Sequence, residues 1–180
     1  TPMEAAEKPT MDYLAKMGIM GMARTVYEGL KPGSDVANLC VMGENPGENY
    51  SGRSPLEAAG LGIELTETDI TYRANLVTLS EEDGYENKCM VDYSAGEIST
   101  EDAALLINDL KKELENEDFR LFPGVSYRHL LIRKNLKKAG ELTPPHDITG
   151  KPVKEFLPKD NEILALMKKS NEILSCHPLN

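Results

Sequence analysis

The sequence predicts an α+β fold, and three observations support this prediction. Segments with the 3.6-residue hydrophobic spacing of helices alternate with strand-like segments, and no segment repeats another. Between residues 50 and 154 the predicted order is strands, a long helix and further strands, which is the makeup of an α+β unit around one core. A length of 180 residues suffices for one such domain together with part of a second.

Composition and charge exclude several classes of function. The chain has 20 Lys+Arg against 30 Asp+Glu, a formal net charge of −10, which opposes attraction to nucleic acid or to an anionic membrane. Its apolar runs are far shorter than the roughly 20 residues that span a bilayer. Cys40, Cys89 and Cys176 form no C-x-x-C pair, which argues against a disulfide framework or a zinc site. We expect a reduced, cytoplasmic protein that binds neither nucleic acid nor membrane.

Short helices and turns are predicted in the first third of the chain. Residues 10–16 follow a proline and predict a helix with Thr10 as its cap. Residues 54–60 predict a second short helix, with Ser54 as its cap and a glycine at its end. Both interpretations place a side-chain hydroxyl where it accepts hydrogen bonds from the first backbone N–H groups of a helix.

The strongest helix signal lies in the middle of the chain. The segment STEDAALLINDLKKELENED opens with Ser99 or Thr100 as its cap and repeats apolar residues every three to four positions. It follows two strand-like segments, DITYRANLVTLS and CMVDYS, which a polar turn connects. This arrangement predicts a helix packed on neighbouring strands.

The last part of the chain predicts a hairpin and a helix. FRLFPGVSYRHLLIRK indicates two strands around a Pro-Gly turn. PKDNEILALMKKSNEILSCHP has the apolar spacing of an amphipathic helix.

Ser34 is the first candidate for chemistry. In KPGSDVANLCVMG it follows a Pro-Gly turn and precedes an apolar stretch with helical spacing, which is typical of a helix N-cap. The same serine is a candidate nucleophile, because the positive end of a helix stabilises a phosphate attached to its oxygen. The two roles are compatible, although capping serines far outnumber nucleophilic ones.

A rigid loop carries a second group of candidates. In TPPHDITGKP, residues 143–152, two prolines precede His146 and Asp147, and Lys151 follows a glycine. The His–Asp pair has the chemistry to orient a phosphate or to carry protons near neutral pH. A hydrogen bond that merely closes a turn explains the pair equally well.

Three arginines next to aromatic or turn residues form the third group: Arg53, Arg73 and Arg128. Guanidinium groups bind phosphate and carboxylate in a fork, so arginines that converge on one pocket suit a small anionic substrate. In an acidic protein each one is by itself more often a surface ion-pair partner.

Seven segments, taken in order, carry a resemblance to a known family: TPMEAAEKPTMDYLAKMG, PGSDVANLCVMGENP, YSGRSPLEAAGLGIEL, DITYRANLVTL, FPGVSYRHLLIRK, TPPHDITGKPV and NEILSCHPLN. Their order and spacing resemble those of the archaeal-type, cofactor-independent phosphoglycerate mutases of the alkaline phosphatase superfamily. Each segment alone is weakly specific, but the seven together cover essentially the whole chain.

The resemblance implies a mixed α+β domain inserted into an alkaline-phosphatase-like α/β enzyme and flanked by partial segments of the catalytic domain. Residues 1–46 would be one such segment, residues 47–157 the inserted substrate-clamp domain, and residues 158–180 a helix that returns to the catalytic domain.

The resemblance also implies an activity and its site residues. In such enzymes a serine, here Ser34, takes the phosphoryl group from phosphoglycerate and returns it to the other hydroxyl, at a site with two divalent metals, Mn or Zn. The substrate, a small phosphorylated molecule, would be held by six residues of the inserted domain: Arg53, Arg73, Arg128, His146, Asp147 and Lys151.

The chain lacks the metal-ligating segments that the resemblance leads one to expect. These are an aspartate in a "DG" segment before the first residue, and Asp and His clusters after HPLN. We therefore predict a fragment whose partner, the rest of the catalytic domain, is missing. It would bind no metal except through a contact of Ser34, and it would have no mutase activity alone.

Two departures from the family pattern point to alternatives. Where many archaeal mutases carry an arginine-rich stretch resembling DRRAGRI, this chain has VDYSAGEIST, and Asn38 stands where a histidine often follows the serine motif. The runner-up is therefore a related homoserine kinase of threonine biosynthesis. A non-catalytic binding module that keeps the clamp is a third hypothesis.

Overall fold

The computed structural model describes residues 1–136 and 138–180 of the chain. The α-helices of this part are α1 Pro2–Ala5, α2 Pro9–Met17, α3 Ser34–Val41, α4 Pro46–Asn49, α5 Arg53–Gly60, α6 Thr100–Leu114 and α7 Asn161–Ser175. Its strands are β1 Ile70–Asn75, β2 Thr78–Leu79, β3 Met90–Asp92, β4 Phe119–Val125 and β5 Arg128–Arg133. The same described residues contain three short 3₁₀ helices, at Tyr85–Asn87, Pro145–Ile148 and Val153–Phe156. The predicted α+β class is confirmed.

The chain divides into two compact units, residues 1–51 and residues 52–180. The division lies close to the predicted boundary between residues 46 and 47. Residues 158–180, predicted to return to another domain, belong to the second unit. The assignment of the three segments to named domains stays a prediction.

The first unit is helical and buries little apolar surface. Helix α2 begins at Pro9, and its N-cap is Lys8, which makes no side-chain capping hydrogen bond. The predicted Thr10 cap is therefore wrong. The physical reason is that the fixed φ of proline suits the first helical position, so Pro9 starts the helix one residue earlier.

A three-stranded antiparallel sheet in the order β1-β5-β4 forms the centre of the second unit. Because side chains alternate across a strand, the sheet has two apolar faces. On one face Leu121 packs with the buried residues of α6. On the other face Ala58 of α5 packs with Leu130 and Ile132 of the central strand. The sheet is therefore covered by helices on both sides.

Helix α6 follows the sequence prediction closely. Ser99 is its N-cap, and the Ser99 hydroxyl accepts from the backbone N–H of Asp102 at 3.0 Å. Its buried residues recur at the predicted spacing: Ala103, Leu106, Ile107, Leu110 and Leu114. Both the cap and the apolar stripe are confirmed.

The hairpin between β4 and β5 turns at a different place from the one predicted. Pro123 and Gly124 lie within β4, where the register shifts between Phe122 and Val125, and the chain reverses at residues 126–127. A Cβ on Gly124 would lie 2.2 Å from the Arg128 carbonyl oxygen, so glycine permits a close approach of the two strands. The turn is held instead by the Ser126 hydroxyl, which donates to the Ile98 carbonyl at 2.7 Å.

Helix α5 also differs from its prediction. It begins at Arg53 with Gly52 as its N-cap, so the predicted Ser54 cap is wrong. The Ser54 hydroxyl donates to the Thr71 carbonyl at 2.9 Å and accepts from the Thr71 hydroxyl at 2.8 Å. The Ser54 hydroxyl therefore forms hydrogen bonds with the neighbouring strand β1, although the local sequence predicts that it caps the helix.

Candidate functional site

Two of the predicted arginines meet at one carboxylate on the face of the sheet covered by α5. Arg73 Nη2 lies 3.0 Å from Glu57 Oε1, and Arg53 Nε lies 3.3 Å from the same oxygen. The side chain of Arg53 is 48% exposed, whereas those of Arg73 and Glu57 are 29% and 30% exposed. Arg53 and Arg73 therefore form a cationic cluster, in which Glu57 is the counter-ion.

The position of this cluster follows from how α5 packs on the sheet. The two hydrogen bonds between Ser54 and Thr71 fix the first turn of α5 to β1. Ala58 is fully buried against Leu130, so the helix cannot move away from the sheet without opening the core. Glu57 is thereby held beside Arg73.

Arg73 is less exposed than Arg53 and is partly desolvated. Burial lowers the pKa of its guanidinium, Glu57 opposes this effect, and Arg53 and Arg128 lower the pKa further. Arginine nevertheless stays charged in proteins. Within the described part of the chain, the buried Arg73 Nε has no hydrogen-bond partner. The cluster therefore holds a charged donor that is not fully used.

Arg128 begins strand β5, opposite Asn75 of β1, on the same face of the sheet as Arg73. Its guanidinium lies over the Tyr127 ring, 5.4 Å from the centroid. The Tyr127 ring in turn makes an edge-to-face contact with Tyr93 at 6.0 Å between centroids. A stacked guanidinium keeps its donors in a defined plane, as bidentate anion binding requires.

The loop with the predicted His–Asp pair is joined to this cluster through aromatic rings. His146 makes an edge-to-face contact with Tyr93 at 6.3 Å. His146 Nε2 lies 3.4 Å from Asp147 Oδ1, and both side chains are mostly exposed. Lys151 Nζ donates to the Asp147 carbonyl at 3.1 Å. The three loop residues therefore lie together, and Tyr93 links their loop to Arg128 through Tyr127.

Strand β3 anchors this loop through the backbone. The Gly150 N–H donates to the Met90 carbonyl at 2.7 Å, and the Met90 N–H donates to the Lys151 carbonyl at 3.0 Å. The backbone of the loop is thus fixed while its charged side chains stay solvated.

The segment after β3 was not predicted as part of the site. Three consecutive residues have positive φ: Ala95 (49°), Gly96 (68°) and Glu97 (55°). The Asp92 carboxylate accepts from the Ser94 N–H at 2.9 Å and from the Gly96 N–H at 2.6 Å, and these bonds lower the pKa of Asp92. The Asp-x-Ser-x-Gly spacing is the sequence signal for such a turn. It places Tyr93 between Tyr127 and His146.

Glu57 was also missed, although the sequence carries a signal for it. Arg53 and Glu57 are four residues apart, a spacing at which opposite charges pair on a helix, and α5 includes both residues. Its contact with Arg73 joins residues from two different elements, and only the packed structure shows it.

Ser34 lies in the first unit, as the first residue of α3, and its side chain is exposed. The N-cap is Gly33, with φ −163°, and no side-chain capping hydrogen bond forms among the described residues, so the predicted Ser34 cap is wrong. A Cβ on Gly33 would lie 2.4 Å from Asp35 Oδ1, so the missing side chain leaves room for that carboxylate at the helix N-terminus. The nucleophilic role of Ser34 stays a prediction.

Residues 1–136 and 138–180 also bear on metal binding and on membrane insertion. No group of three or more His, Cys, Asp or Glu side chains in these ranges is arranged to hold a metal ion. The two divalent metals expected from the resemblance therefore have no complete ligand set among these residues. No helix in the same ranges is long and apolar enough to cross a bilayer.

The amino-acid sequence of this chain is similar to those of known proteins. Residues 15–180 match a family described as 2,3-bisphosphoglycerate-independent phosphoglycerate mutase. The protein of that name from Methanosarcina barkeri is 49% identical over 100% of this chain and 45% of its own length. The protein of that name from Pyrococcus furiosus is 39% identical over 100% of this chain and 44% of its own length.

Two solved structures are similar to this one. The cofactor-independent phosphoglycerate mutase from Thermoplasma acidophilum has 29% identity and a TM-score of 0.56, over 100% of this chain and 48% of that one. A Pyrococcus horikoshii protein has 28% identity and a TM-score of 0.66, over 100% of this chain and 40% of that one. The chain thus spans less than half the length of each of these four relatives.

Proposed function

We propose that this chain, which belongs to the 2,3-bisphosphoglycerate-independent phosphoglycerate mutase family, supplies the substrate clamp and the phosphoryl acceptor of an enzyme that interconverts 3- and 2-phosphoglycerate. The observation that carries the proposal is the convergence of Arg53 and Arg73 on Glu57, with Arg128 on the same face of the sheet as Arg73. Such a cluster suits a ligand that carries both a phosphate and a carboxylate.

The clamp residues divide into two groups with different tasks. The three arginines bind the anionic groups of the substrate, because each guanidinium offers paired N–H donors to oxygen anions. His146 and Asp147 lie on the exposed loop and hold or move a proton at the glycerate hydroxyl groups. Lys151 supports that loop through the Asp147 carbonyl.

Ser34 is the proposed phosphoryl acceptor. Its Oγ attacks phosphorus, the bond from phosphorus to the glycerate oxygen breaks, the serine loses its proton, and the glycerate oxygen gains one. The phosphoserine then gives the phosphoryl group to the other glycerate hydroxyl by the reverse step. Two divalent metals, Mn or Zn, would supply charge neutralisation in the longer protein, and this chain would contribute Ser34 alone to them.

The clamp is tested by calorimetric titration of this chain with 3-phosphoglycerate. Arg73→Met should weaken binding about tenfold or more, because it removes the charged donors at the centre of the cluster. Arg24→Met, which removes an exposed arginine of the first unit paired with Glu28, should leave binding unchanged. Equal affinity of the parent chain and Arg73→Met would refute the clamp.

The catalytic part is tested on the longer protein. We expect it to convert 3-phosphoglycerate with added Mn²⁺, and Ser34→Ala to abolish turnover while 3-phosphoglycerate still binds. The isolated chain is expected to show no turnover under the same conditions, and measurable turnover by it would contradict the proposed need for the remaining domain.

A homoserine kinase is the second candidate. The observation that favours it is the turn after β3, which carries the exposed Glu97 and no arginine. An acidic side chain suits a substrate with an amine, whereas a doubly anionic substrate favours arginine. Formation of ADP and phosphohomoserine from ATP and homoserine by the longer protein, without mutase activity, would select the kinase. Binding without either turnover would select a non-catalytic binding module.

A further inference from the structure

Glu57 is a carboxylate that lies among the donors of the proposed clamp. Its Oε1 contacts Arg73 Nη2 at 3.0 Å and Arg53 Nε at 3.3 Å. A carboxylate belongs to the same chemical class as the anions that such donors bind. Glu57 therefore uses guanidinium groups that a bound phosphate would need.

We propose that Glu57 is an internal counter-anion, a positioning residue that holds Arg53 and Arg73 in the empty site and that a phosphate group displaces. This inference rests on the proposed function, because it concerns the same cluster. It adds that the affinity of the clamp is set by competition between the ligand and a carboxylate of the protein itself.

The two contacts of Glu57 differ in how easily they break. Arg53 is half exposed and pairs at four residues' separation on one helix turn, a kind of pair that is individually weak. Arg73 is less exposed and reaches Glu57 from a neighbouring strand. A phosphate therefore takes Arg53 from Glu57 first, while the guanidinium of Arg73 has more N–H donors than its contact with Glu57 uses and so can bind both anions.

The helix does not need these ion pairs to stay in place. Ser54 and Thr71 already join α5 to β1 through two hydrogen bonds, and Ala58 is fully buried in the core. Removal of the Glu57 charge should therefore change anion binding more than folding.

Glu57→Gln tests the inference, because glutamine keeps the shape and removes the charge. Titration of the 180-residue chain with 3-phosphoglycerate and with inorganic phosphate should show about fivefold tighter binding for Glu57→Gln than for the parent chain. The matched control is Glu115→Gln, whose side chain is equally exposed at 31% and pairs with Lys111 four residues earlier. It makes the same change in net charge and should leave affinity unaltered.

The outcomes separate this inference from the proposed function. If Arg73→Met abolishes binding but Glu57→Gln leaves it unchanged or weaker, the counter-anion role is refuted and the clamp stands. If the parent chain shows no binding that depends on Arg73, the proposed function fails and the inference fails with it. Equal tightening by Glu57→Gln and Glu115→Gln would also refute the inference, because it would be an effect of net charge.

A second measurement uses the parent chain and does not depend on how the variant folds. The carbon-13 shift of the Glu57 carboxyl, followed by NMR during titration with inorganic phosphate, should move in proportion to occupancy as Arg53 leaves it. A Glu57 signal that is unchanged when phosphate saturates the Arg73-dependent site would overturn the inference.

Discussion

The arginine cluster around Glu57 and the His146–Asp147 loop are both parts of the proposed clamp, but they are held in opposite ways. The cluster stands on α5, which buries Ala58 against the core, and on β1, and its Arg73 is partly desolvated. The loop is fixed through its backbone, and its side chains are exposed. Desolvation strengthens charge interactions, so changes beneath the cluster should have larger effects than changes in the loop.

Leu130→Ala should have the largest effect, because Leu130 is only 1% exposed and lies beneath α5. We expect a loss of about 2–5 kcal/mol in the free energy of unfolding, measured by urea denaturation. Leu105→Ala, at a residue of α6 that is 55% exposed, should change it by less than about 0.5 kcal/mol. Similar losses for both variants would mean that the core beneath the cluster is not closely packed.

The pH dependence of stability provides the next largest effect. His129, next to Arg128 on β5, is buried, and burial lowers its pKa from 6.5 to about 4. Between these two pH values the unfolded state binds more protons than the folded state. The free energy of unfolding should therefore decrease as pH falls through this range, by up to about 3 kcal/mol at its lower end.

His129→Asn should flatten this dependence, because asparagine does not titrate and can still accept the hydrogen bond that the Gly124 N–H donates to His129 Nδ1 at 3.1 Å. Urea unfolding at several pH values between 6.5 and 4 measures the slope for both proteins. His146→Asn, in the exposed loop, should keep the slope of the parent chain. Parallel curves for the parent and His129→Asn would contradict a buried neutral histidine.

Ser54→Ala should have an intermediate effect. It removes the hydrogen bonds that join α5 to β1 and should lower the free energy of unfolding by about 1 kcal/mol. Because Glu57 would then be less well positioned, affinity for 3-phosphoglycerate should also change. Ser175→Ala, whose hydroxyl donates within α7, should change neither property, and an effect equal to that of Ser54→Ala would refute a specific role for the junction.

Asp147→Asn should have the smallest effect on stability. The contact between His146 and Asp147 is solvated, and exposed pairs of this kind contribute about 0–1 kcal/mol. Urea unfolding should therefore show nearly the same free energy for the variant and the parent chain. A loss greater than about 2 kcal/mol would show that the loop is as closely coupled to the fold as the cluster is.

Local signals in the sequence were sufficient for α6 and for the family. The apolar stripe of α6 and its Ser99 cap are contained within one continuous segment, and the helix formed as predicted. The family predicted from seven ordered segments is confirmed, because order and spacing along the chain are properties of the sequence itself.

Predictions failed where a residue found its partner in another element. Ser54 bonds to Thr71 of β1 and not to its own helix end. The hairpin turns at residues 126–127, where Ser126 reaches the Ile98 carbonyl, and not at Pro123 and Gly124. The Ser34 cap failed for a different, local reason, because the helix begins at Ser34 itself and the N-cap is Gly33, one residue earlier.

The sequence by itself determined the α+β class, the main helix, the family and the set of arginines and loop residues that are candidates for the clamp. Only the tertiary structure decided that Arg53 and Arg73 share Glu57, and that Tyr93 lies between His146 and Tyr127. The physical reason is that hydrophobic spacing and helix capping act over a few neighbouring residues. Ion pairs and ring contacts between distant residues form only after the strands and helices have packed.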